Sequence, residues 1–580
     1  MRKTKEEHGN AKGAIYASQP RTTVIVRFAD GQVLEGPKGT TLESFIKYIY
    51  KRPYQYIAAI AKGSLRELTY TPECDEYVEL QDVSTSEGIR IYRRSLAFLM
   101  VTAIEELYPE VEVFIDHTVP FGGYFCEVRG RRKFTRVELA KIYRHMRKII
   151  KADEPIRRIP VPVEEAEKIF ERRKEYDKLQ LVEKRGKETF MMYRLRNRCD
   201  AFYGYMVPST GYINRFALWP HEDGFLLQFV RRAHPAKLIK PKDSPKLTEV
   251  FREYGKWLRL LKIENMGQIN EIVRKGRIRE VIMASEALQE QKVAQIAHEI
   301  SERKETIKLV VIAGPSSAGK TTFSKRLAIQ LLANGLQPFT LELDRYFVNR
   351  EDTPKDENGD PNFEVIEALD LALLNRNLND LMAGRKVTLP KFNFVTGRRE
   401  TGPQFQLKKD QVIIAEGIHG LNPKLLRDIP RGKVYRIYIS ALTQLNIDRH
   451  NRVATTDSRL IRRIVRDAEH RGWKAEDTLN MWEKVRRGEK QNIFPYQENA
   501  DILFNSALVY ELCALKKLAV PLLLQVKSGS RASISAKRLL AFLNLCEGIP
   551  TDMVPPYSIL REFTGGSVLA DYLPGRYFDE

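Results

Sequence analysis

Cysteine is scarce. The 580 residues hold five, Cys74, Cys126, Cys199, Cys513 and Cys546, far apart and with no CxxC. That usage excludes a disulfide-stapled scaffold and a zinc ribbon, and it predicts a reducing compartment. The nine histidines form no HxxxH or HExxH pair, so no helical metal site is signalled. No run approaches the ~18 apolar residues of a membrane span. The N-terminus lacks the apolar core of a secretory signal and reads as a disordered tail over 1–21. The expectation is a cytoplasmic protein with no membrane partner.

Charge, by contrast, is plentiful, at 29% of residues beside 43% hydrophobic. That balance is globular, and the length suggests three to five domains. Lys plus Arg is 96 against 75 acidic residues, a net +21. The excess is spread over both halves, a field that favours polyanionic partners, nucleotides or RNA.

Residues 23–28 (TVIVRF) alternate as a half-buried strand does. Ala29-Asp30-Gly31 follows as a turn, and Val33-Leu34 begins the return strand. Thr40-Thr41-Leu42-Glu43 reads as a capping box with Thr40 as N-cap, opening a short helix through Ile49. With short strands to Val83, residues 22–83 predict a β-grasp module. This pattern resembles the TGS domain of threonyl-tRNA synthetases and some regulatory GTPases, which implies a neighbourhood of RNA.

Residues 84–220 continue the likeness. SEGIRIYRRSLAFLMVTAIEELYPEVEV and VPSTGYI (Val207–Ile213) resemble segments of the α+β editing-type domain of threonyl-tRNA synthetases. In that family H-x-x-x-H and C-x-x-x-H pairs hold a metal; the matching positions here are Arg94, Phe98, Phe202 and Met206. Every metal-type ligand is missing, with Cys199 three positions off, so the scaffold is expected without its hydrolytic chemistry. Arg129-Gly130-Arg131-Arg132-Lys133 and a helix over 136–150 present the best nucleic-acid patch of this half, with Lys141, Arg144 and Lys148 facing out. Residues 221–305 read as a mainly helical linker.

Ile307–Ala313 (IKLVVIA) is a continuous apolar run, as a buried parallel strand requires. It ends in Gly314-Pro315-Ser316-Ser317-Ala318-Gly319-Lys320-Thr321, a full G-x-x-x-x-G-K-[ST] P-loop, followed by a helix over 322–333. The glycines let backbone N–H groups of Ser316, Ser317, Ala318, Thr321 and Thr322 curl around phosphate, and the helix dipole adds to them. Lys320 is expected on the β- and γ-phosphates, and Thr321 on Mg²⁺. The strand 339–343 leads to Asp344, a candidate base for a substrate hydroxyl or a metal ligand. The strand 411–415 ends at Glu416, a Walker B equivalent reaching Mg²⁺. Arg459, Arg462, Arg463 and Arg466 fall at i, i+3, i+4 and i+7. They are expected as one face of a lid on nucleotide phosphates, with Leu460, Ile461, Ile464 and Val465 opposite and buried.

Together, GPSSAGKTT, Asp344-Arg345-Tyr346-Phe347, Asn362-Phe363-Glu364, Pro390–Phe394, Glu416-Gly417-Ile418 and DSRLIRRIVRD resemble the uridine kinase and phosphoribulokinase family of P-loop kinases. No N-K-x-D segment is present to read guanine. The resemblance implies ATP and Mg²⁺, a small hydroxyl-bearing acceptor, Asp344 as base, Arg459 and Arg462 in catalysis, and Arg463 and Arg466 on nucleotide. The acceptor side would include Asp344, Glu364, Phe392, Arg398 and Arg399. Phe392 and Gly397 stand where uridine kinases carry a Tyr and a His on the pyrimidine nucleoside, and residues 440–456 insert a long polar connection before the lid. Uridine is therefore in doubt as the acceptor.

The expected architecture is an α/β P-loop kinase domain with a parallel sheet (306–510), preceded by the β-grasp and editing-like modules and followed by a helical extension (511–580). The expected activity is ATP-dependent phosphorylation of a nucleoside-like molecule, as in bacterial nucleoside kinase-like proteins. The competing reading is an RNA- or ribosome-associated regulator with the P-loop domain as an ATP switch. RNA through the basic N-terminal half and self-association are left open.

Overall fold

The computed structural model describes residues 20–182, 188–356, 359–393 and 396–574. The expected disordered tail therefore lies almost wholly outside the described residues.

The N-terminal module is a five-stranded sheet. Strand Thr23–Phe28 pairs antiparallel with Val33–Pro37 and parallel with Glu76–Asp82, and Tyr56–Ala61 and Ser64–Arg66 complete it. Gly31, at φ +90, supplies the left-handed turn residue that the first hairpin needs. The helix Leu42–Ile49 covers the sheet, but its cap differs from the expected one. Thr41, not Thr40, is the N-cap, its Oγ1 accepting from Ser44 N. Glu43 turns away to Lys47 at 2.7 Å and accepts from Tyr212 at 3.0 Å. A tie to the next module has replaced the reciprocal capping bond.

The second module wraps the long helix Ser86–Leu107, buried along most of its length, with a four-stranded antiparallel sheet and a three-stranded one. The helix Arg136–Lys151 has a true capping box, Thr135 with Glu138, and buries Leu139, Ile142, Met146 and Ile149 as its spacing requires. The strand Phe216–His221 pairs with Gly224–Phe229, so this sheet runs past the expected boundary at 220. The helices Pro245–Leu261, Met266–Arg274 and Ile278–Glu302 then lead to the P-loop domain.

That domain is a five-stranded, wholly parallel sheet. Its order is Gln337–Glu342, Gln411–Glu416, Leu309–Ala313, Val434–Ser440, Ile502–Asn505. The P-loop strand thus lies beside the Glu416 strand, and the strand before Asp344 pairs on the far side of the latter. Leu309–Ala313 is fully buried, which accounts for its unbroken apolar run. An antiparallel hairpin, Lys386–Asn393 with Arg398–Gln406, stands apart from this sheet.

The polar connection 440–456 forms a buried clasp on the N-terminal half. Ile115 N donates to Arg449 O at 2.8 Å, Asn446 Nδ2 to Ile115 O at 3.1 Å, and Asn451 Nδ2 to Ala201 O at 2.9 Å. Arg449 pairs with Asp177 at 2.9 Å. The C-terminal extension, with helices Glu511–Leu524 and Arg531–Leu543, is helical as expected and packs into the P-loop domain. Leu515, Leu539, Leu560 and Phe563 share one core with Val310, Phe323 and Leu327.

Candidate active site

The P-loop is shaped by three backbone requirements. A Cβ on Gly314 would lie 2.1 Å from Ile439 O of the neighbouring strand, so only glycine fits. Ser317 (φ +58) and Gly319 (φ +87) then take the left-handed region, which curls the amides inward. The helix Lys320–Ala333 begins directly behind them and points its N-terminus at the loop.

Lys320 lies there within the electrostatic reach of both Asp344 and Glu416. Lys320 Nζ donates to Gly314 O at 3.1 Å. Burial lowers its pKa, against the opposing charges of Glu416, Glu562 and Asp344. Thr321 Oγ1 donates to Glu416 Oε1 at 3.1 Å, while the buried Glu416 Oε2 has no hydrogen-bond partner. Burial pushes the Glu416 carboxyl up to about 7, with Lys320 opposing. Asp344 lies in a 3₁₀ turn, Leu343–Tyr346, beyond its strand. The residue is exposed at its surface, while desolvation by the surrounding protein raises its pKa and Lys320 restrains the shift. Glu364 joins the same field. Burial, then Glu489, raises its pKa to about 7, and Arg463, Lys320 and Asp344 also act on it.

The lid arginines are placed differently from the sequence reading. The helix Thr455–Arg471 buries both of its faces there, and Arg459 and Arg462 are 1% and 0% exposed. Their counter-charges come from the protein. Arg459 pairs with Glu489, and Arg462 with Glu511 at 2.5 Å and with Ser506 O at 2.8 Å. Arg463 reaches Asp467 at 3.1 Å and Ser316 Oγ at 2.9 Å, and Arg466 reaches Asp467 at 3.0 Å. Arg459 Nε also donates to Ser316 O at 2.9 Å, so these side chains brace the P-loop from behind. Four like charges over two turns do need anions between them; carboxylates supply them here.

On the acceptor side, Phe392 is buried against Phe347 and Phe363, with ring centroids at 5.6 and 6.3 Å. Gly397 (φ +71) sits under Arg350, and any Cβ there would come within 2.7 Å of its Nε. Arg399 pairs with Asp370 at 2.7 Å, and both it and Arg398 are exposed on the hairpin. Sequence reasoning missed Glu489, Glu511 and Glu562. Only Glu489 left a signal, as an acid three residues after Arg486 on an amphipathic helix.

In the editing-like module, Arg94 Nη1 donates to Tyr205 O at 2.6 Å, and Phe98 packs on Phe202 at 5.1 Å. Met206 is buried with them in one core. Glu175, Asp200 and His450 do come together in ligand-like fashion. Lys178 already fills their centre, bonded to Asp200, to His450 Nδ1 at 2.7 Å and to Glu175 at 3.3 Å. An ammonium in that position leaves no room or charge demand for a metal ion. Purified protein is expected to carry no stoichiometric zinc in metal analysis; zinc lost on mutating this region would overturn that.

The basic patch is partly neutralised. Arg129 pairs with Glu264 at 2.6 Å and Arg131 with Glu138 at 2.6 Å, while Lys141, Arg144 and Lys148 remain exposed. Beside it a cavity of about 1050 Å³, lined by Tyr143, Trp219 and His117 among others, lies away from the P-loop. None of the P-loop chemistry faces it.

No helix among the described residues is long and apolar enough to cross a membrane. Residues 309–511 match the Phosphoribulokinase / Uridine kinase family. The chain is 29% identical over 198 residues to threonine–tRNA ligase 2 of Bacillus subtilis (strain 168), covering 34% of this chain and 31% of that one. It is 34% identical over 195 residues to threonine–tRNA ligase of Rubrobacter xylanophilus, covering 33% and 30%. It thus spans about a third of the length of these relatives. Among solved structures, a D-glycerate 3-kinase from Cryptococcus neoformans var. grubii aligns at 16% identity and TM-score 0.22, covering 47% of this chain and 87% of that one. A "Possible Uridine Kinase" from Bacillus stearothermophilus aligns at 22% and 0.21, covering 34% and 89%. The chain therefore joins an N-terminal region similar to threonine–tRNA ligases to a P-loop segment that matches the phosphoribulokinase and uridine kinase family.

Proposed function

We propose that this protein is a small-molecule kinase that transfers the γ-phosphoryl group of ATP to a hydroxyl of a nucleoside-like acceptor. The observation that carries the reading is that Lys320 of the P-loop lies within the electrostatic reach of both Asp344 and Glu416. Phosphoryl transfer asks a protein chiefly for positioning and for charge stabilisation. The P-loop amides and Lys320 offer positive potential to the phosphates. Asp344, exposed at its surface, is placed to orient the acceptor hydroxyl and to receive its proton. Thr321 and Glu416 are hard oxygen donors of the kind Mg²⁺ takes, and the orphaned Glu416 Oε2 suits a cation. Bound there, the ion would supply neutralisation of the phosphate charge. A switch ATPase positions water and has no need of a base beside an alcohol pocket, so Asp344 favours the kinase over the regulator.

The test is a screen of small hydroxyl compounds for ATP consumption, with each product identified. A saturable acceptor that gains phosphate supports the proposal; ATP hydrolysis with no phosphorylated product from any class of alcohol counts against it. Uridine and cytidine are expected to be poor acceptors beside the true one. Phe392 is engaged in an aromatic core and Gly397 has no side chain, so two polar anchors for a pyrimidine nucleoside are missing. A pocket lacking such partners cannot favour that substrate strongly. Efficient, saturable uridine phosphorylation by the wild-type protein would refute this expectation and leave the kinase reading standing.

A further inference from the structure

The amides that a P-loop offers to phosphate are partly taken. Thr322 N, at the start of the P-loop helix, donates to Glu562 Oε2 at 3.0 Å. Ser316 N donates to Glu489 Oε1 at 3.1 Å. Glu489 belongs to the domain's own helix Ala475–Asn492, but Glu562 comes from the far end of the chain, on the short helix Arg561–Thr564. Its carboxylate adds to the negative field around Lys320 and Glu416.

The segment around Glu562 is seated on the loop. Ile559 Cγ2 lies 2.5 Å from where a Cβ on Gly319 would stand, so the side chain rests directly on the loop backbone. Lys325, one turn into the P-loop helix, donates to Leu569 O at 2.6 Å and Ala570 O at 2.8 Å. Phe563 is fully buried, with the Arg462 guanidinium 5.1 Å from its ring. Gly565 and Gly566, both at positive φ, follow the short helix directly and give it a pliable exit. A carboxylate bonded to an amide at the N-terminus of a phosphate-binding helix has the charge and position of a phosphate oxygen.

We propose that the C-terminal strap 551–570 is an autoinhibitory plug. Glu562 stands in for a nucleotide phosphate at Thr322 N, and nucleotide binds by displacing it. This rests on the P-loop being the nucleotide site, as in the kinase reading. Two anions cannot share one amide and one helix terminus, so nucleotide affinity is reduced by the fraction of molecules in which the strap is seated. The strap stays covalently tethered to the helices of the shared core, so it can reseat when nucleotide leaves.

The test compares full-length wild type with Glu562→Gln for ATP binding by calorimetry, with and without Mg²⁺. Glutamine keeps the size and an acceptor oxygen but removes the charge. At least about tenfold tighter ATP binding by the variant is expected. Unchanged or weaker binding, as loss of a purely structural cap would give, overturns the plug alone. In case the variant fails to fold, hydrogen exchange on the wild type reads the same device. Added ATP is expected to expose the amides of 559–566; equal or greater protection overturns it. No ATP binding by either protein overturns both the plug and the kinase reading.

Discussion

Replacing Lys320 with alanine is expected to remove phosphoryl transfer while leaving the fold intact. Its ammonium is held over the loop by Gly314 O and Pro315 O and is surrounded by Glu416, Glu562 and Asp344. None of these contacts supports the hydrophobic core, so the substitution removes a charge without opening a cavity in it. In the transition state the lysine places a positive charge on the transferring group. Loss of one preorganised group of this kind costs about 3–4 kcal/mol, or ~10²–10³ in turnover. The measurement is product formation per enzyme with an acceptor found by screening, with circular dichroism as the fold control. Turnover within a few-fold of wild type would end the assignment of Lys320.

Asp344→Asn should separate chemistry from nucleotide binding. The amide matches the carboxylate in size but cannot accept a proton at neutral pH, and such a loss typically costs ~10²–10⁴ in rate. Asp344 touches no P-loop amide; the contacts to phosphate come from the loop backbone, Lys320 and Thr321. Nucleotide affinity should therefore stay within a few-fold while transfer to the acceptor is lost. A variant that loses both together would mark Asp344 as a nucleotide or metal ligand instead of the base. One that keeps turnover would mark it as a bystander.

The parts of this site that could be read in the sequence are the ones fixed by neighbours along the chain. The strand, glycine turn and helix of the P-loop are contiguous, and a buried parallel strand has an unmistakable apolar run. Asp344 and Glu416 were legible because an acid at a strand end needs no distant partner to be placed. The lid arginines were legible in spacing and misread in partner. Their spacing is local, but Glu489 and Glu511 arrive 30 and 49 residues later. Glu562 reaches Thr322 across 240 residues from a helix of four, too short to carry any period. The shift of the cap from Thr40 to Thr41 has the same origin. A remote tyrosine, Tyr212, draws Glu43 away from the capping geometry.

The clasp at 440–456 bears on how the whole chain holds together. Arg449 on one side and Asp177 on the other form a buried ion pair, and His450 Nδ1 takes a hydrogen bond from Lys178 across the same contact. Drawing the two sides apart would strand Arg449 and Asp177, at a cost of several kcal/mol per buried ion. A ligase-like scaffold and a kinase-like sheet of separate resemblance are in this way coupled through a buried charged contact. Each side keeps an apolar core of its own, and the buried pair links the stability of one to that of the other. The N-terminal half thereby adds to the stability of the P-loop domain, whatever else it binds.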